Sequence, residues 1–177
     1  MKKLFLVVTA FSLLTIGVQA QSKQQGLTFG IGPNFHLPLG DFGTGYSFGI
    51  GGTVQVELPL ADNIKGVGSV GYTSFLGKTQ TFDFGAGPES FKNPSLGLIP
   101  ILVGARFYPS EQFFVGAQIG LGLLSGGGSS TSSFDYLPQV GYDAGTLQFI
   151  LGYNGLSKNS VSFSSLQLTA LYKFGGN

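Results

Sequence analysis

Glu57, Lys65, Arg106, Asp143 and Lys173 lie on the polar parity of five separate alternating segments, near one end of each. Three cations and two anions of this kind become chemically interesting when a fold gathers them away from water, because a buried charge needs a partner. Two arrangements follow: a salt-bridged plug that fixes a structure and blocks conduction, or a gate on an ion path. Near-balance of the charges favours the plug. His36, with Asp41 and Ser47 close by in sequence, supplies the residue types of a nucleophile, base and acid set, whose chemistry would be acyl transfer or hydrolysis on a lipid. Serine is so frequent in this chain that a nearby one carries little weight, and the expectation is a rim histidine facing water or lipid headgroups. No enzyme activity, catalytic residue, metal or cofactor is expected. One His and no Cys leave no multi-histidine or thiolate site and no disulfide. The glycine runs around Gly120–Gly122 and Gly126–Gly128 lack the strand-to-helix setting of a phosphate loop.

Composition narrows the partners. The 177 residues include 30 Gly, 17 Phe and 7 Tyr, with no Trp, and 10% are charged; soluble domains carry about 25% charge. With Lys2 and Lys3 set aside as part of a leader, seven cations of the nine remain against eight anions. So few cations make a poor phosphate binder, which excludes nucleic acid as a partner.

The elements that must position these residues are strands. Each Gly in a helix interior would cost roughly 1 kcal/mol relative to Ala, and no stretch after Ala20 repeats at helical spacing. Period-two alternation recurs instead, the mark of a strand with two unlike faces. Eight such segments run from Leu27, Tyr46, Ile64, Ile99, Phe113, Phe134, Leu147 and Ser165, and the last closes at Phe174. Short connections (59–63, 109–112 and 144–146) alternate with longer ones (36–45, 76–94, 125–133 and 157–164). That asymmetry belongs to membrane barrels, with short turns on one side and long loops on the other. The polar face holds Gly, Ser, Thr, Gln and Asn, too poor in charge for a water-facing surface. A soluble barrel with its apolar face inward is the alternative. Aromatics at both ends of the apolar face fit a lipid-facing exterior: Phe35, Tyr46, Tyr72, Phe134 and Tyr153 at the loop end, and Phe107, Tyr108, Phe113, Tyr142, Phe149, Tyr172 and Phe174 at the turn end. The expected fold is all-β, an eight-stranded antiparallel up-and-down transmembrane β-barrel. Pro100 and Pro138 interrupt it with a bulge or a local break.

Residues 1–20 have two lysines, an apolar run and a Val18-Gln19-Ala20 ending, the pattern of a secretory signal cleaved after Ala20. Residues 21–25 form a short periplasmic lead-in and 26–177 the barrel. The longest loop, 77–94, carries Phe82, Phe84 and Phe91 among polar residues. Such aromatics anchor a protein partner when exposed, or fold back on the barrel rim.

The stretches GIGPNFHLPLGDF (30–42), LGLIPILVGARFYP (96–109), FFVGAQIGLG (113–122) and PQVGY (138–142) resemble the outer membrane protein beta-barrel domain group common in Bacteroidetes, which includes PorT-like members. QLTALYKF (167–174) is similar to the C-terminal signal read by the barrel assembly machinery, but lacks the usual Gly and continues to Asn177. The resemblance implies an integral protein of the Gram-negative cell outer membrane. Its surroundings would be outer-membrane lipid and lipopolysaccharide, with the assembly machinery as partner during insertion. The reading is a non-enzymatic barrel with a plugged lumen and extracellular binding loops. The alternatives are a passage or shuttle for a small apolar molecule, or a lipid A-modifying enzyme using His36. An eight-stranded barrel is too narrow for a general porin.

Overall fold

The computed structural model describes residues 26–83, 88–158 and 161–176. The leader and lead-in read over 1–25 therefore lie outside the described residues. Eight strands close a barrel: β1 (Thr28–Leu39), β2 (Tyr46–Ala61), β3 (Ile64–Gly77), β6 (Leu96–Phe107), β7 (Phe113–Gly126), β8 (Ser129–Asp143), β9 (Leu147–Lys158) and β10 (Val161–Gly175). Every neighbouring pair is antiparallel, and β1 pairs with β10 to seal the cylinder. Closure leaves no open sheet edge along the barrel wall, which a wall in hydrocarbon requires.

The alternating pattern resolves into an inside and an outside. Ile31, Ile50, Val54, Val103, Ile119 and Leu168 point outward and are about half exposed, Val103 at 63%, whereas Arg106 on the opposite parity is 1% exposed. Aromatic side chains belt this exterior: Phe29 stacks on Phe174 and Phe113 meets Tyr142 edge-on near the turns, and Tyr136 meets Phe134 and Tyr153 near the loops. An apolar outside around a charged inside is the reverse of a water-soluble barrel. The lumen is less uniformly polar than its composition suggests. Two apolar clusters fill it, one of Phe42, Phe75, Leu98, Leu124 and Leu156 at the loop end, and one of Tyr108, Phe114, Ile150 and Leu171 at the turn end.

Four expectations need correction at the loop end. Residues 36–45 are not an irregular loop: β1 runs on to Leu39 and a short helix, α1 (Gly40–Gly45), drops Phe42 into the barrel mouth. Between 125 and 133 the chain makes a tight hairpin, because Gly127 and Gly128 both take positive φ (58° and 81°) and turn β7 straight into β8. The longest loop contains its own hairpin of β4 (Thr79–Asp83) and β5 (Pro88–Lys92), which is a separate two-stranded sheet. Tyr46 packs against the apolar cluster around Phe42 rather than standing in an outer aromatic belt.

The prolines cause local breaks without bulges. Beside Pro100 the β3–β6 ladder passes from Val70–Ile101 to Thr73–Leu98, and beside Pro138 the β8–β9 ladder passes from Tyr136–Gly155 to Gln139–Gly152, each resuming in register. A missing N–H interrupts pairing on one side only. Glycines matter where walls coil tightly: a Cβ on Gly120 would overlap the Ile101 carbonyl oxygen of the adjoining strand.

Candidate functional site

Inward parity and a narrow cross-section bring the charged residues together at the turn end. Arg106 reaches from β6 across the lumen and its Nη1 donates to Glu57 Oε1 on β2. The same guanidinium donates to Gln148 Oε1 at 3.0 Å, Gln55 Oε1 at 2.8 Å and Gln139 Oε1 at 3.1 Å, and lies 4.4 Å over the Phe114 ring. Glu57 also accepts from Gln148 Nε2 at 3.1 Å and from the Tyr108 hydroxyl at 3.2 Å, with Lys65 Nζ 3.7 Å away. A second pair, Lys173 and Asp143 at 2.5 Å, is joined to the first through Gln148 Nε2, 3.4 Å from Asp143 Oδ2. All five charged residues singled out in the sequence thus belong to one connected network.

Its geometry suits blocking. Arg106, Glu57 and Gln148 are essentially without exposure, and a guanidinium forked to four acceptors is held in place. Tyr108 was expected among the outward aromatics of the turn end; it points inward instead. Following an outward Phe107 it takes the opposite parity. Burial and the Glu57 charge hold its phenol well above the usual range, so it remains a donor. The glutamines Gln55, Gln139 and Gln148 were missed as site residues. Their signal was inward parity within a few positions of Glu57, Asp143 and the turn, and an amide can donate to one charge while accepting from another.

His36 does not sit at the rim. It is 2% exposed, its Nδ1 is 2.9 Å from Ser165 Oγ on β10, and Phe75 and then Phe42 cover it. Ser47 gives its hydroxyl to the Leu76 carbonyl at 3.3 Å and Asp41 is exposed on α1, so the three residues do not form a relay. On β8, Asp135 is fully buried and accepts from Asn154 Nδ2 at 2.6 Å. Like the glutamines, it was legible only by parity.

Of the loop aromatics, Phe84 lies outside the described residues. The backbones of Phe82 and Phe91 lie in β4 and β5, opposite Glu89 and Gln80. The base of that hairpin is tied to α1: Lys78 N bonds Gly45 O at 2.9 Å, Lys78 Nζ bonds Gly43 O at 2.5 Å and Asn93 Nδ2 bonds Gly45 O at 3.1 Å.

Fold and lumen together define a small closed barrel of the eight-stranded outer-membrane type. Solved structures share that architecture: the Yersinia pestis outer membrane protein Ail in a phospholipid bilayer nanodisc (TM-score 0.56, 15% identity, 85% of this chain and 100% of that one). Neisserial surface protein A is similar at TM-score 0.54 and 16% identity, over 84% of this chain and 96% of its own. The N-terminal β-barrel domain of Pseudomonas aeruginosa OprF follows at 0.53 and 11%, over 83% and 97%. At these identities the likeness is one of fold. No protein-family profile matches the chain, and no curated protein matches it in sequence.

Proposed function

We propose that the chain is an integral, non-enzymatic barrel of the Gram-negative outer membrane whose lumen is plugged and whose outer loops engage a partner. The observation that carries this reading is the inversion of the barrel, with aliphatic and aromatic side chains outside and a buried Arg106–Glu57 ion pair inside. Charges buried this way stabilise only when partnered, and partners from six strands crowd the lumen at that level. The α1 segment and the β4–β5 hairpin, bonded to each other, form a platform above the membrane. A signal cleaved after Ala20, recognition of β10 by the assembly machinery, and kinship with PorT-like Bacteroidetes barrels complete the proposal. Lipopolysaccharide and phospholipid would surround the wall.

Ail has been solved in complex with the heparin analogue sucrose octasulfate. By sequence the loop segments hold Lys78, Lys92 and Lys158 against Asp41, Asp83 and Glu89, an even balance that offers no net positive charge to a polyanion. An apolar shuttle would need a lateral gap, and the ladders beside Pro100 and Pro138 resume in register.

Gel mobility of unheated and boiled outer-membrane fractions, followed by conductance of the purified barrel in a planar bilayer, tests the proposal. Heat-modifiable migration with no resolved channel steps is expected. A soluble periplasmic protein, or steady large conductance, would overturn it.

A further inference from the structure

Beneath the plug, the turn end of the barrel opens into a cavity of about 330 Å³. Lys65 and Lys173 enter it from β3 and β10, Thr28 and Thr146 bring hydroxyls, and Gly145, Gly175 and Gly176 line it with backbone alone at positive φ. Glu57 forms part of its inner wall but is already engaged by Arg106, Gln148 and Tyr108. Among the described residues the network contains three cations and two carboxylates, a surplus of one positive charge, with Glu57 shared between Arg106 and Lys65. The carboxylates of the neighbouring turns, Asp62 and Glu111, are exposed at the turn tips and do not line the cavity.

We propose that this mouth is a binding site for the terminal carboxylate of a short peptide. A carboxylate between the two ammonium groups would neutralise the excess charge through charge-assisted hydrogen bonds. The remaining volume is that of a small-ligand pocket, and its hydroxyls and bare glycine backbone suit a peptide rather than an apolar chain. The side-chain-free glycine wall lets a ligand backbone approach closely. With the short turns on the periplasmic side, which rests on the outer-membrane reading above, two sources present such an end: the D-amino-acid peptides of the cell wall and free periplasmic peptides.

The test uses the full mature barrel refolded in detergent micelles, with amide resonances followed by NMR during titration with N-acetyl-D-alanyl-D-alanine, its L,L counterpart, and the C-terminal amide of each. Saturable shifts at Thr146, Gly145 and Gly175 with the acids, and at least tenfold weaker binding of the amides, are expected. Response to the D,D acid alone assigns the wall peptide, and equal response to both acids assigns free peptides. No saturable shift, or equal binding of acid and amide, overturns the site. Lys173→Gln and, separately, Lys65→Gln should each weaken binding at least tenfold; unchanged binding in both also overturns it. Lys65→Gln leaves the Lys173–Asp143 pair intact, so it reports even where loss of Lys173 prevents folding. Gel heat-modifiability of each sample reports the barrel separately, so a folded barrel that ignores the peptides refutes the site and leaves the outer-membrane reading standing.

Discussion

Arg106 on β6 and Glu57 on β2 meet inside the barrel lumen, from two strands separated in the wall by β3. The contact is therefore a strut, and its removal tests stability and conduction separately. Arg106→Ala takes the buried guanidinium from Glu57 and leaves the Gln55 and Gln139 carbonyls without a donor, whereas Gln148 Oε1 keeps Gln55 Nε2 at 2.9 Å. Destabilisation by about 3–5 kcal/mol is expected, as for a broken buried pair, read as a lower urea midpoint for loss of the fast-migrating folded band. The apolar cluster at the loop end is untouched, so the variant should still lack large conductance. A stable, open channel would show that the network is a gate and not a plug.

Phe42 closes the opposite mouth. Its ring packs on Phe75, Tyr46 and Phe163, and beneath Phe75 lies His36. Phe42→Ala removes a large buried side chain, at a cost of about 3–5 kcal/mol if the site does not collapse. It should also expose the imidazole. Modification of His36 by diethyl pyrocarbonate, slow in the wild type, is expected to accelerate at least tenfold in the variant. Equal rates would show that α1 is not the cover.

How much of this was readable in advance differs between the two ends of the molecule, for a physical reason. Within the membrane span hydrocarbon reads one face and the lumen the other, so residues such as Val103 and Arg106 alternate cleanly and the strands were visible. Beyond the span both faces of a strand meet water. Ser129 to Ser132 are all exposed although they lie in a regular strand, and no period could reveal them. Phe42 reads as a loop residue because its burial depends on a helix of six residues dropping into a mouth formed by distant strands. The five charges were found by their parity and sign. Tyr108, Gln55, Gln139 and Gln148 shared the parity but lacked the sign, and their roles follow from which strands close beside each other.

The hairpin at Gly127–Gly128 gives a local test of that misreading. Both residues hold positive φ with open space where a Cβ would go, so substitution meets backbone strain and no clash. Gly128→Ala is expected to cost about 1–2 kcal/mol, visible as a modest drop in the unfolding midpoint. Gly120→Ala should be far worse, because the added carbon overlaps the Ile101 carbonyl of β6 and cannot be relieved without separating the strands. Equal midpoints for the two variants would contradict the described coiling of the wall.

Val103 supplies the test of which side faces lipid. It projects from β6, exposed outward, beside Gly68 on β3 and the outward Ile119 on β7. In water an arginine there would be well solvated and close to neutral for stability. At the midplane of a bilayer it costs about 2–4 kcal/mol, and less toward either interface. Val103→Arg should therefore lower stability of the barrel folded in lipid vesicles by that amount, with Phe113→Arg near the turn end losing less. The gradient between the two positions is the informative quantity, since general damage to the fold would not follow depth. A flat response across both sites would place the apolar face against something other than hydrocarbon.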